Sequence, residues 1–254
     1  MELSKFSLWF KINKLSLNIK KTSFVLFHSK HTKRRLEYCD IRIDNTPIER
    51  VYKTKFLGVI INEVLSWHDH ITHIKQKIAK NCGIISRIRY HVPDSVLLAL
   101  YTTLIYPYLD YCNLVWATER TTVLNQLFVC QKKAVRLITK THYRSHTAPL
   151  FKKLAILPVH CINDLQLACF MYRCVNNLMP SKFSSRFLPN SAYHAHNTRN
   201  SNKLHLTYHR LHLSLSTVCT AGVKLWNSLS TDLICNCSLQ SFTNNFRTLL
   251  LGKL

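Results

Sequence analysis

Glycine and proline are scarce, at 4 and 7 in 254 residues. So few turn formers favour helices joined by polar loops over a sheet-rich sandwich. Acidic residues are also few: 12 Asp+Glu stand against 35 Lys+Arg, a formal charge of +23. Such an excess attracts polyanions, of which nucleic acid is the usual one, with an acidic membrane surface as the rival. No apolar run approaches the roughly 20 residues of a spanning helix, which counts against the membrane. Lys5, Lys11 and Lys14 interrupt the N-terminal apolar residues where a signal peptide needs an unbroken core. The expectation is an intracellular protein, nuclear or cytoplasmic and not secreted. No GxSxG, P-loop or dinucleotide fingerprint is present, and no internal repeat. Neither CxxC nor zinc-knuckle spacing occurs. The ten cysteines are scattered, with Cys82, Cys130, Cys169 and Cys174 inside helical patterns, so they read as reduced core thiols.

What is there suits one large or two small globular domains, with 47% hydrophobic residues. Residues 3–13 read as a helix with Leu3, Phe6 and Phe10 on one side. Strand-like segments follow near 15–19 and 22–28. From Glu37 to Asp44 the chain alternates as a half-buried strand, and Ile48 to Ile61 returns as a strand pair or one bent strand. The organising stretch is Phe56 to Ile71. Gly58 precedes a β-branched run, Val59-Ile60-Ile61, and beyond it Ile71, Ile74, Ile78, Cys82 and Ile85 fall on one helical face.

That helix runs from about Trp67 to Tyr90, and Pro93 ends it. Asp94-Ser95 opens the next, whose run Val96, Leu97, Leu98, Leu100, Leu104 points to burial on several sides, and Pro107 kinks or restarts it. Glu119 to Lys140 is the cleanest amphipathic helix, with Leu124, Leu127, Phe128, Val135 and Ile138 as its apolar stripe. Another opens at Pro158. Residues 180–212 lose periodicity and read as an extended loop or linker. Helices return around Trp226 and from Ser238, where Leu239, Phe242, Phe246 and Leu249 repeat.

Candidate chemistry is thin. Asp40 and Asp44 share a strand face, but Tyr38 and Arg42 beside them suggest a solvated polar face. His68, His70 and His73 with Asp69 straddle a turn and a helix start, which suits surface or helix-start polar residues better than a metal site. His205, His209 and His212, followed by Cys219, Cys235 and Cys237, lack zinc spacing. Binding is the stronger signal. Lys132, Lys133, Arg136 and Lys140 gather on one side of their helix, and Lys77, Lys80 and Arg87 lie away from the isoleucine stripe. Such faces suit duplex phosphates and read little sequence.

Several fragments also carry a resemblance. Phe56-Leu57-Gly58-Val59, Leu65-Ser66-Trp67 and His70-Ile71 resemble the palm-to-thumb junction of reverse transcriptases from non-LTR retrotransposons of the jockey type. Trp9 to Asn18 with Lys21-Thr22 resembles the segment after that family's catalytic hairpin. Leu104-Ile105-Tyr106-Pro107, Tyr111, Trp116, Gln131 to Arg136, His146 to Phe151, Asn197-Thr198-Arg199 and Leu225-Trp226-Asn227 fit its thumb and the region C-terminal to the thumb, in order. The resemblance implies an α+β, mostly helical chain: a small β remnant of a polymerase palm (1–66), a helical thumb-like domain (67–140), a helical segment (141–179), a polar basic loop (180–212) and a C-terminal helical segment (213–254). It places Phe56, Leu57 and Gly58 at a primer-grip-like position and implies an RNA or RNA–DNA template–primer as partner.

Polymerases of this kind hold two Mg²⁺ on carboxylates that include an adjacent Asp pair. No Asp-Asp pair occurs here. The family pattern puts that hairpin upstream of Met1, so the expectation is a truncated fragment that binds template–primer, does not polymerise alone and carries no cofactor, Mg²⁺ belonging to the intact polymerase. The alternatives are an incomplete gene model of an active reverse transcriptase and a domesticated helical module that binds nucleic acid or docks a protein, such as the missing palm and fingers. A remnant that scarcely folds is a further one.

Overall fold

The structure is a computed structural model and describes residues 2–29, 40–43, 45–117, 122–193, 199–208, 217–234 and 238–254. It is the mostly helical α+β chain expected, with a few short strands. The chain divides into two compact units, Met1–His70 and Ile71–Leu254.

In the first unit, helix α1 (Glu2–Ile12) is closed by Lys14 in the left-handed region (φ 55), with Leu15 N–H donating to the Phe10 carbonyl. The strand expected near 15–19 does not form. The Asn18 carbonyl accepts from Lys21 N–H (3.0 Å) and Thr22 Oγ1 (2.9 Å), so a local 3-10 turn at Ile19–Lys21 takes up groups that a strand ladder would use. Of 22–28 only β1 (Ser23–Phe24) is strand. Tyr38, Cys39 and Asp44 lie outside the described residues, and the expected 37–44 strand is seen as β2 (Arg42–Ile43). It pairs antiparallel with β3 (Thr46–Pro47), whereas β1 pairs parallel with β4 (Glu49–Arg50). β5 (Lys53–Phe56) and β6 (Val59–Asn62) form a hairpin in the register Lys53↔Asn62 to Phe56↔Val59. Its turn is Leu57-Gly58, both at positive φ (44 and 85), the handedness that matches the twist of the strands. Gly58 adopts this freely. Leu57 carries a strain of about 1–2 kcal/mol.

The second unit contains most of the length of α2 (His68–Ile88), then α3 (Asp94–Leu104), α4 (Tyr106–Asp110), α5 (Asn113–Trp116), α6 (Thr122–Ile138), α7 (Ala148–Lys153) and α8 (Val159–Val175). After these come α9 (Ser181–Ser184), α10 (Val218–Asn227), α11 (Thr231–Ile234) and α12 (Leu239–Gly252). All five residues of the expected α2 stripe are at most 3% exposed. Helix α4 starts with Pro107 in its first turn, the restart anticipated there. Val96 departs from its expectation: Leu97 and Tyr101 face inward on α3, and Val96 is exposed. Glu119 lies outside the described residues, and α6 begins at Thr122.

Helix α8 is the hub, packed by α4, α5, α6, α9, α10 and α12. It is buried on nearly every side, so it shows little of the one-sided apolar pattern of a surface helix. Tyr172 on α8 stacks on Phe242 of α12 (4.8 Å), and Trp226 of α10 meets both rings. Gly222 permits the α8–α10 approach, because a Cβ there falls 2.6 Å from Met171 Sδ.

Most polar groups buried in this core are matched, with Arg89 Nε an exception. Gln131, fully buried on α6, donates to Tyr101 Oη and the Leu157 carbonyl (both 2.8 Å) and accepts from Val159 N–H (2.8 Å). Burial pushes the Tyr101 hydroxyl well above its ordinary range. Ser238 caps α12 by accepting from Ser241 N–H (3.2 Å), and Phe242, Phe246 and Leu250 face inward, Leu250 taking the place expected for Leu249.

With so few glycines, helix ends use other residues. Lys140 closes α6, Ala155 closes α7 and Asn177 closes α8, all left-handed (φ 53, 51 and 55). In each case the next N–H donates to a carbonyl five residues back, as in Thr141 to Arg136, Ile156 to Phe151 and Leu178 to Arg173.

Candidate nucleic-acid interface

On α2 the buried isoleucine stripe leaves Lys80 and Arg87 exposed and Lys77 half-buried. None of the three joins an ion pair among the described residues. Their charge is therefore not offset by an ion pair with a described carboxylate.

The four cations of α6 lie away from Leu127, Gln131 and Val135, as expected, but most are engaged. Lys132 Nζ sits 4.2 Å from the centre of the Phe128 ring. Phe128 also meets His160 edge-on at 5.0 Å, and crowding there, with Lys132 nearby, lowers the His160 pKa. Arg136 Nε donates to the Ser145 carbonyl (3.0 Å) and so holds the basic loop after α6. Lys140 Nζ pairs with Asp94 (2.9 Å), an exposed contact of about 0–1 kcal/mol that a phosphate could replace. Lys133 is exposed and lies near the Cys82 and Cys130 thiols, which burial pushes up, Cys82 to about 11. Lys75 Nζ of α2 donates to Gln126 Oε1 of α6 (2.9 Å), so the two helices are side-chain neighbours.

In the first unit, Phe56 and Leu57 form an apolar tip, 62% and 73% exposed, beside the exposed Lys53 and Lys55. The composition of the segment hinted at neither the tight turn nor the strained Leu57; a Gly after an apolar pair was the only signal. His70 sits in the first turn of α2, as expected among surface or helix-start polar residues, but is buried. It is 3% exposed, and its Nδ1 accepts from Ile60 N–H (3.3 Å), so it fastens β6 to the start of α2. Behind β5 and β6 lies a cleft of about 570 Å³ lined by residues that include Arg50, Tyr52, Lys53, Asn62, Glu63 and Asp69. Two ion pairs lie within its lining, Arg50 with Glu63 and Lys53 with Asp69, both at 3.4 Å.

Asp40 is bound by Arg42 (2.7 Å), its expected partner Asp44 lies outside the described residues, and Glu63, Asp69 and Asp94 each face a cation. Among the described residues no three His, Cys, Asp or Glu side chains gather to hold a metal. His209, His212, Cys235 and Cys237 lie outside them, whereas His205 stacks on Tyr193 (4.1 Å) and Cys219 is an exposed free thiol. No described helix is long and apolar enough to cross a membrane.

The described residues thus offer exposed cations, in a chain whose fold is helical with a small strand region. Over 159 residues it is 24% identical to a Drosophila melanogaster protein described as "Probable RNA-directed DNA polymerase from transposon X-element". That match covers 61% of this chain and 17% of the relative's length. It supports a reverse-transcriptase-like origin. No protein-family model and no solved structure matches the chain.

Proposed function

We propose that this chain is a segment derived from a jockey-type non-LTR retrotransposon reverse transcriptase, and that it binds RNA or RNA–DNA template–primer through a thumb-like helical unit. The observation that carries this reading is the match over 159 residues to a transposon RNA-directed DNA polymerase, joined to a net charge of +23. Lys77, Lys80, Arg87 and Lys133 supply phosphate contacts, and Lys132, Arg136 and Lys140 stand close by. Phosphate contacts of this kind orient a duplex and tolerate any sequence. Phe56, Leu57 and Gly58 form the primer-grip-like tip. No adjacent Asp pair occurs in this sequence, which supports the expectation that the chain by itself does not extend a primer.

Fluorescence anisotropy with a labelled RNA–DNA duplex tests the binding. Salt-dependent, sequence-tolerant affinity is expected, and no binding even at low salt removes the proposal. Incubation with primed template, deoxynucleotides and Mg²⁺ or Mn²⁺ is expected to yield no extension. Robust extension that is lost on changing Asp40 or Asp44 would show that the carboxylates were misjudged. One observation favours protein docking as a second reading: Phe6, Trp9 and Ile12 of α1 are 54–70% exposed. Absence of apolar-dye binding by the folded chain counts against it.

A further inference from the structure

Between Asp164 and Asp232 the chain has no acidic residue. Within that stretch Arg173, Lys182, Arg186, Arg199, Lys203 and Lys224 are all exposed. The stretch also contains a cleft of about 440 Å³, a size that suits a small ligand. Phe187, Leu188, Leu204 and Trp226 are among its apolar lining residues, and Asn177, Ser184, Ser191 and Asn202 are among its polar ones.

The cleft is built rather than incidental. Over 180–212, read from the sequence as an extended loop or linker, the described residues carry α9 and a 3-10 turn at Asn190–Ala192, and they bury Phe187 and Leu204. Asn227 brackets Leu204, accepting from its N–H (3.0 Å) and donating to its carbonyl (2.9 Å). Two loop segments run side by side through Asn190 N–H to the Lys203 carbonyl (2.9 Å), Ser191 N–H to Ser201 (3.0 Å) and His205 N–H to Leu188 (2.9 Å). Tyr193, 54% exposed, stacks on His205 beside them. Arg173, Arg186 and Lys203 are each chain neighbours of a lining residue.

The geometry points to a subsite for one unpaired base of single-stranded RNA or DNA. The base enters between the apolar walls, its edges meet the Asn and Ser side chains, and the flanking phosphates meet Arg173, Arg186 and Lys203. Amide and hydroxyl groups suit base edges, and aromatic and apolar surface suits base faces. An apolar protein side chain would account for the walls but not for the exposed cations in a stretch without carboxylates. Bases inside a duplex are stacked and do not reach such a cleft without being flipped out. The subsite therefore selects single strands, and it uses none of the residues assigned to duplex binding on α2 and α6.

The test is anisotropy of the full chain with three labelled probes at one salt concentration: oligouridine, an abasic strand of equal length and charge, and a blunt RNA–DNA duplex of that length. Oligouridine is expected to bind about tenfold more tightly than the abasic strand, the order of one stacked base. Asn202→Trp and Ser191→Phe each place a bulky ring at a lining position of the cleft. Each, shown by thermal melting to remain folded, removes that preference and leaves duplex affinity within about twofold. Equal affinity for the two strands, or a preference that survives both variants, overturns the subsite. Duplex binding without oligouridine binding also overturns it and leaves the template–primer reading standing. Oligouridine binding without duplex binding does the reverse.

Discussion

The two units of this chain hold their apolar side chains differently. In the second, Ile78, Ile85, Leu97, Ile105, Leu109, Leu127 and Phe242 are 0% exposed, and buried polar groups such as Gln131 are fully bonded. In the first, the best-buried apolar residues are Val59, Ile43, Trp67 and Ile48 at 5–9%, while Phe6, Trp9, Ile12, Phe56 and Leu57 are more than half exposed. Among its described residues the strands form three separate two-stranded sheets, and isolated pairs of strands are marginal in water. Helices around one buried helix close a core by themselves. In the first unit α1 packs against β2, and no larger sheet forms among the described residues.

Truncation is the sharpest way to probe that contrast. Phe242→Ala removes a ring that touches Tyr172, Trp226 and Phe246, with an expected loss of about 3–5 kcal/mol in urea unfolding. Phe56→Ala, at the exposed tip, is expected to change stability by no more than about 0.5 kcal/mol. Equal effects would dissolve the distinction.

Thiol chemistry gives an intermediate effect. Burial pushes Cys82, Cys161 and Cys174 up to about 11, whereas Cys219 is exposed. A thiol with that pKa is thiolate in only about one molecule in a thousand at pH 8, and the thiolate is the nucleophile. Cys219 is expected to react with a thiol reagent at pH 8 well before the other three, as read by peptide mapping. The three follow only when the second unit opens. Prompt labelling of Cys82 in the native protein would contradict its place in that core.

The smallest effect concerns helix ends. Ala155→Gly relieves a left-handed alanine at the end of α7 and is expected to add about 0.5–1 kcal/mol, measured by thermal melting.

Much of the second unit was legible in the sequence because an amphipathic helix writes its burial as a period. Ile71 to Ile85 on α2, Leu124 to Ile138 on α6 and Phe242 with Phe246 on α12 were read that way, as were the starts at Asp94 and Ser238. What periodicity cannot carry was missed. Gln131 and His70 are polar residues whose burial depends on distant partners, Leu157, Val159 and Ile60. The 15–19 segment alternates like a strand but found a local turn. The cations of the candidate interface were legible as a helix face, but their partners Phe128, Ser145 and Asp94 were not. Nor was the cleft near Trp226 anticipated, although the run without carboxylates around it stood in plain view.

The most direct test of the nucleic-acid account is the salt dependence of duplex binding, compared between the unaltered chain and the variant Lys80→Ala/Arg87→Ala/Lys133→Ala. These three side chains are exposed and hold none of the described ion pairs. The account predicts that the slope of log K against log salt becomes shallower by about 0.7–0.9 for each phosphate that the variant no longer neutralises, while the fold is kept. An unchanged slope would show that the duplex does not lie on α2 and α6, and the proposed interface would be wrong.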